Sequence, residues 1–289
     1  MTRSTRSMKR KDYVAVGLVL FFVGLYLVPV LALIKDVVYN GLRVIAAVGP
    51  QFFVAPPPNP GDGLGGIGPA LEGSLYMVAL AVLMSGPISF LTGVFLAFYE
   101  KSPIAKAIRS ALELIVEFPT IIVGIVVFST FVVGFSLLDH KVKFGLGPIS
   151  GAIALAIVML PYATIQINES LRIPRRLYEE TAHALGLTQW QVIRVIVSAG
   201  KKGILTGLLL GFAKVIGETA PIIVVTSTTA NVYLTDWNSP VTGVPVLIYT
   251  YAFSAYSNWI DVAWGASLAL LVIVTATFVI VRLLSSWKR

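Results

Sequence analysis

The chain has 289 residues, 56% hydrophobic and 12% charged, with a mean hydropathy of +0.85; this balance is far from that of soluble domains and marks an integral membrane protein. No cysteine occurs and the only histidines, His140 and His183, stand apart, so neither a disulfide framework nor a Cys/His metal cluster can be built. A net charge of +8 would suggest nucleic acid in a soluble protein, but here the basic residues flank apolar segments, so their reading is topological and no nucleic-acid partner is expected.

Six apolar runs are long enough to cross a hydrocarbon core of about 30 Å as helices. They are Tyr13 to Ile34, Ser74 to Tyr99, Leu114 to Leu138, Phe144 to Asn168, Ile204 to Thr228 and Val262 to Val281. The runs are continuous and do not alternate, which argues against a barrel, and backbone satisfaction in lipid then requires helices. The first run follows a basic start, as in a secretory signal, but exceeds a signal core of roughly 7–15 residues and is expected to be a retained helix.

With the amino terminus inside, all 22 Lys and Arg lie on the cytoplasmic side except Lys35, Arg43, Lys141 and Lys143 outside and Lys214 within a span. Both termini are therefore expected in the cytoplasm of a multi-pass protein. Residues 35–73 form a long outside connection; Val37 to Val54 could add a short surface helix, whereas Ala55-Pro56-Pro57-Pro58-Asn59-Pro60 and the glycines up to Gly68 cannot be regular helix or central strand. The outside loop 229–261 has no Lys or Arg but carries Tyr233, Trp237, Tyr249, Tyr251, Phe253, Tyr256 and Trp259, suited to interfacial anchoring or to contact with a delivering partner.

Between the fourth and fifth runs lies a polar cytoplasmic segment. Pro174 suits the first turn of a helix carrying Leu177, Thr181, Ala184 and Leu185 on one face and stopping at Gly186. A second helix is predicted from Thr188 or Gln189, with Trp190, Ile193 and Val197 at helical spacing. This is the form of a docking surface for a cytoplasmic partner, or of an ordinary amphipathic loop.

The fifth run contains Lys214 and Glu218, one helical turn apart. Intramembrane ionisable groups cost roughly 2.5–3.5 kcal/mol each on insertion scales and face a bundle interior or a watery path. Gly203, Gly207 and Gly211 continue that face at a spacing that lets a neighbouring helix approach closely. The pair reads either as a structural lock or as a cation that lowers the barrier for an anion, restrained by Glu218 when the path is empty. Glu117, near the cytoplasmic end of the third run, is expected to reach the interface or to pair with Lys214.

Glu180, Ala182, Gly186 and Ile196 match the spacing of the cytoplasmic signature of ABC importer permeases (Glu-Ala-Ala, three residues, Gly, nine residues, Ile, one residue, Leu-Pro), with Thr181 for the first alanine and Ser198-Ala199 for Leu-Pro. The chain resembles that family over roughly residues 74–285. Lys214-Val-Ile-Gly217-Glu218-Thr219-Ala220-Pro221 is similar to the Arg-Ala-x-Gly-Glu-Thr-Ala-Pro stretch of phosphate-importer permeases, with lysine for the usual arginine and so without its two-pronged donor fork. Phe118-Pro119-Thr120 with Gly124 resembles that family's Val-Pro-Ser stretch, and Pro245-Val246-Leu247-Ile248-Tyr249 resembles Pro-Val-Gln-Ile-Tyr of its PstA-type members.

The resemblance implies an all-α type I permease fold of six transmembrane helices with a cytoplasmic coupling helix between helices 4 and 5. It divides the chain into residues 1–73 (tail, first helix and outside loop) and a core permease domain, 74–285, with a coupling loop at 169–203. It implies a phosphate importer in the cell membrane of a prokaryote. A phosphate-binding protein would deliver inorganic phosphate outside, a second, PstC-like permease would complete the path, and a dimer of ATP-binding subunits would dock on Glu180, Thr181, Ala182, Leu185 and Gly186, with Lys214, Glu218 and Thr219 on the substrate path. This chain would itself bind no cofactor and perform no bond chemistry, ATP and Mg being held by the partner. Indeed no Gly-x-x-x-x-Gly-Lys-Ser/Thr loop, catalytic triad or carboxylate pair for catalysis is visible. The alternatives are a permease for sulfate, molybdate or phosphonate, or a secondary transporter using Lys214, Glu218 and Glu117 as a proton relay, which lacks a visible inverted repeat.

Overall fold

The computed structural model describes residues 2–137, 140–228, 231–237 and 239–286. The described fold is helical apart from one small antiparallel hairpin. In chain order it comprises α1 (Thr2–Val48), a 3₁₀ turn (Gly49–Phe53), α2 (Gly68–Phe98), α3 (Pro103–Glu117), α4 (Thr120–Val127, continued by a π turn to Val132), β1 (Phe135–Leu137), β2 (His140–Val142), α5 (Pro148–Ala184), α6 (Gln189–Val215), α7 (Val244–Ala252) and α8 (Ser257–Ser286). Among the described residues five helices are long and apolar enough to span a membrane, or six if α3 and α4 count as one bent span.

α5 is the central post. It packs between α2 and α6, and small residues make the approach close: Gly93 of α2 meets Ile167 and the Thr164 carbonyl, and Gly151 meets Met77. On the other side Gly200, Gly203, Gly207 and Gly211 of α6 run against Leu171, Ser170, Ile167 and Ala163 of α5. The glycine stripe expected to face protein therefore does so, and it sets the antiparallel α5–α6 contact. Around α5 a mid-membrane core gathers Met77, Val127, Leu155, Met159, Val215 and Val225, and a cytoplasmic core gathers Ile167, Leu171, Ala182, Val192 and Ile196.

Four expectations are corrected. The third span is not one helix: α3 and α4 meet at 102° across Phe118-Pro119, because Pro119 has no N–H to continue α3 and biases the residue before it to the extended conformation that Phe118 adopts. Pro174 does not begin a separate helix. It lies inside α5, which continues unbroken from the membrane to Ala184. The fifth span does not continue to Thr228, since α6 ends at Val215 and residues 216–225 are turns interrupted by irregular backbone at Glu218 and Thr219. Finally, the surface helix expected at Val37 to Val54 is no separate element: α1 runs on to Val48, and the 3₁₀ turn follows.

Outside, the proline-rich connection is held in place. The Trp259 indole donates to the Pro58 carbonyl (2.9 Å) and the Asn258 amide to that of Asn59 (2.9 Å), while Tyr251 stacks flat on Trp259 at 4.3 Å. Phe52 packs fully buried against Gly265, and Gly41 lies against Trp264 and Leu268, which docks the end of α1 on α8. The outer loop's aromatics divide accordingly. Tyr251 is internal, whereas Tyr249, Phe253 and Tyr256 are exposed.

Candidate functional site

The first candidate region is the turn between α5 and α6. Gly186 has φ +77°, a left-handed conformation that costs L-residues roughly 1–2 kcal/mol and glycine almost nothing. Around it the Leu187 N–H donates to the Ala182 carbonyl (3.1 Å) and the Gly186 N–H to that of His183 (2.9 Å), the paired closure of a Schellman motif. Two residues on, Thr188 opens α6 with a capping box: its N–H donates to Gln191 Oε1 at 2.9 Å. The reversal is thus satisfied entirely by its own backbone and two side chains.

This closure sorts the signature residues. Ala182 and Ile196 point inward and are buried with Leu171 and Val192, so only a small residue fits at 182. Glu180, Thr181, Leu185 and Gly186 are exposed, joined by Leu177, Tyr178 and Trp190; Leu185 and Trp190 are 76% and 72% accessible. Large apolar side chains held out at the tip of a rigid, capped turn constitute a contact surface. Ser198-Ala199, where the family has Leu-Pro, introduces no break, and α6 is continuous across it.

The same helix leads to the second region. From Gln189 to Lys214, α6 extends about 38 Å at 1.5 Å per residue. Lys214 lies in its last turn, and its ammonium forms an ion pair with Glu218. Glu218 is not on the helix but just past its end, in the turn that begins at Ile216. Its side chain is 13% accessible against 37% for Lys214, so the cation is the more open partner. The Lys214 ammonium also stands 5.4 Å from the centre of the Tyr162 ring of α5, a cation–π contact. Glu117 is exposed at the end of α3, and the partner of Lys214 is Glu218.

Thr219, half-buried, follows in the broken segment, and its carbonyl accepts from the Ile223 N–H at 3.0 Å. Irregular backbone at membrane depth is tolerated where protein or a polar cavity covers it. Here α4 covers it: Gly124 sits so close to Pro221 that a Cβ would lie 2.4 Å from the Pro221 carbonyl oxygen. The two chain breaks, at Phe118-Pro119 and at Gly217 to Pro221, therefore belong to one packed unit. Sequence reasoning found both stretches separately but not their contact, and it missed Tyr162, which no local pattern singles out.

Residues 89–289 match the family of binding-protein-dependent transport system inner membrane components. The chain belongs to this family. Members that resemble it over most of their length include the probable phosphate transport system permease protein PstA of Methanocaldococcus jannaschii, 38% identical over 268 residues and covering 91% of each chain. The phosphate transport system permease protein PstA of Haemophilus influenzae is 34% identical, covering 85% of this chain and 84% of its own. That of Mycobacterium leprae is 27% identical over 93% of this chain and 87% of its own. As a member of the binding-protein-dependent family the chain is the integral membrane component of a transport system, a non-catalytic permease subunit of an ABC importer.

Proposed function

We propose that this permease subunit carries inorganic phosphate into a prokaryotic cell, forming one half of the path beside a second, PstC-like permease. In this reading residues 74–285 are the permease core, 169–203 the coupling segment and 1–73 a peripheral helix with its outside loop; both termini are cytoplasmic. An external phosphate-binding protein delivers the anion, and a dimer of ATP-binding subunits, which hold ATP and Mg, works from the cytoplasm. The observation that carries the substrate is the likeness over nine-tenths of the chain to a relative described as a phosphate permease. The partly open Lys214 ammonium at the end of α6 supports it.

The mechanism follows from the continuity of α6. Glu180, Thr181, Ala182, Leu185 and Gly186 shape the tip on which an ATPase bears, and the N-cap of α6, Thr188, lies two residues beyond it. A displacement of the tip passes through the capped turn and is then carried to Lys214, because α6 has no break from Gln189 to Val215. Lys214 offers an ammonium to an anion. Glu218, nearer the protein, holds the ammonium when the path is empty, and Thr219 adds a polar group alongside. Releasing Lys214 from Glu218 to an oxyanion exchanges one charge-assisted hydrogen bond of the ammonium for another, while Glu218 loses its cation, a cost that the bound anion has to offset.

Reconstitution of the complete complex in vesicles tests the proposal. Phosphate with its binding protein should stimulate ATP hydrolysis and be taken up. Stimulation by sulfate, molybdate or phosphonate instead would reassign the cargo, and uptake by this subunit alone on an ion gradient would replace the ABC reading by a secondary transporter.

A further inference from the structure

We propose that the hollow between the cytoplasmic ends of α2 and α5 and the start of α3 is a binding site for the phosphate of an anionic phospholipid headgroup. The hollow has a volume of about 650 Å³ and is lined by Lys101, Lys106, Arg109, Arg172, Arg175 and Arg176, with Glu100, Glu169 and Glu179 as its acidic side chains. Two of the three carboxylates are engaged: Glu169 with Arg172 at 3.0 Å and Glu179 with Arg175 at 2.7 Å. Lys101, Lys106, Arg109 and Arg176 make no ion pair with any described residue. An excess of positive charge thus converges on one concavity.

The site is built rather than merely charged. Arg175 also donates to the Ala97 carbonyl and lies 5.6 Å from the centre of the Phe98 ring, which fixes it as a wall between α5 and α2. Asn168, nearly fully buried, closes the inner end. A topological bias toward basic cytoplasmic loops explains the sign of these residues but not their convergence from separate helices on one hollow.

A phosphate group could arrive free or on a lipid, and α3 discriminates between these. The helix that contributes Lys106 and Arg109 is strongly amphipathic, buries Ala105 and Leu112 against α2 and α5, and leaves Ile104 and Leu114 exposed. A basic face beside exposed apolar residues on a helix lying at 102° to the following membrane helix is the pattern of a segment in the headgroup layer. A ligand matching both features carries acyl chains as well as phosphate. This assignment is independent of the transported anion, and its readout is binding rather than uptake.

Native mass spectrometry of the full chain released from detergent, with added phosphatidylglycerol, phosphatidylcholine or inorganic phosphate, tests it. Phosphatidylglycerol should be retained in preference to phosphatidylcholine. Lys106→Ala with Arg109→Ala should weaken its apparent affinity about 30-fold, each cation contributing a roughly fivefold share, whereas Lys106→Arg with Arg109→Lys should bind as the parent does. Equal retention of the two lipids, or unchanged binding by the alanine double variant, would overturn the proposal. So would displacement of the lipid by inorganic phosphate at equal concentration, since the apolar flank would then contribute nothing.

Discussion

Two helices of this protein end close to the two candidate functional regions, and they end by opposite means. α5 stops in the aqueous layer, where Gly186, Thr188 and Gln191 close its last carbonyls and the first amides of α6 within ten residues, 182–191. α6 stops inside the membrane, where local closure is limited to the Glu218 N–H donating to the Val215 carbonyl at 3.2 Å and to Glu218 folding back on the Lys214 ammonium. The rest of its end is completed by distant parts of the chain: Gly124 against Pro221 and Tyr162 beneath Lys214. A helix end in water can be specified by a few neighbouring residues, whereas one in lipid has to be specified by the whole bundle. The first is therefore rigid by itself and suited to receive force. The second is held by contacts that can be exchanged, which suits a place where an ion is bound and released.

Substitutions at the membrane break should separate these roles most sharply. Lys214→Ala should reduce phosphate uptake by more than tenfold while the ATPase still co-purifies; unchanged uptake would leave the ion pair a packing feature only. Adding Glu218→Ala should restore whatever thermal stability Lys214→Ala loses, because the stranded carboxylate is removed, yet uptake should stay absent. Recovery of transport in the double variant would argue against a substrate role for the lysine.

Gly124→Val tests whether the two breaks form one unit. Its side chain would meet backbone at Pro221 rather than a flexible neighbour, so overpacking should cost about 1–3 kcal/mol, read as a lowered unfolding midpoint in detergent. A neutral result would mean that α4 and the 217–221 segment part easily.

At the cytoplasmic turn, Gly186→Val and Gly186→Asn share the space, since nothing lies within 4 Å of the added Cβ. They differ in their tolerance of positive φ. Valine should cost about 1–2 kcal/mol and weaken ATPase co-purification, with asparagine near neutral. Equal loss in both would show that the bare glycine surface, not its backbone, makes the contact. The smallest effect is expected for Thr188→Ala, about 1 kcal/mol from the lost cap, with docking retained.

What could be read from the sequence follows the same division. The turn at Gly186, the start of α6 near Thr188 and the protein-facing glycine stripe were all legible, because each is set by residues adjacent in the chain or by helical spacing. Pro174 misled for a physical reason: a proline fits the first turn of a helix, yet it is also tolerated within a long one when packing against Gly200 and its neighbours holds the helix together. The end of α6 at Val215 and the 102° bend at Phe118-Pro119 were hidden by apolar residues that continue past both points. Hydropathy reports what lipid tolerates, not where a backbone turns. The pairing of Lys214 with Glu218 was legible as spacing, but the burial that makes Lys214 the more open partner was not.

The docking of α1 on α8 has a further consequence, for the order in which the protein is assembled. Gly41, Val44 and Phe52 find their neighbours at Val262 to Leu268, and Arg43 pairs with Asp261 at 2.7 Å. α1 thus leaves the ribosome some two hundred residues ahead of its partner α8. From Ala15 to Ile34 its side chains are exposed in the finished chain as well. It has to be stable in lipid on its own while some two hundred residues are still being made, and its long uninterrupted apolar surface meets that requirement before any tertiary contact exists.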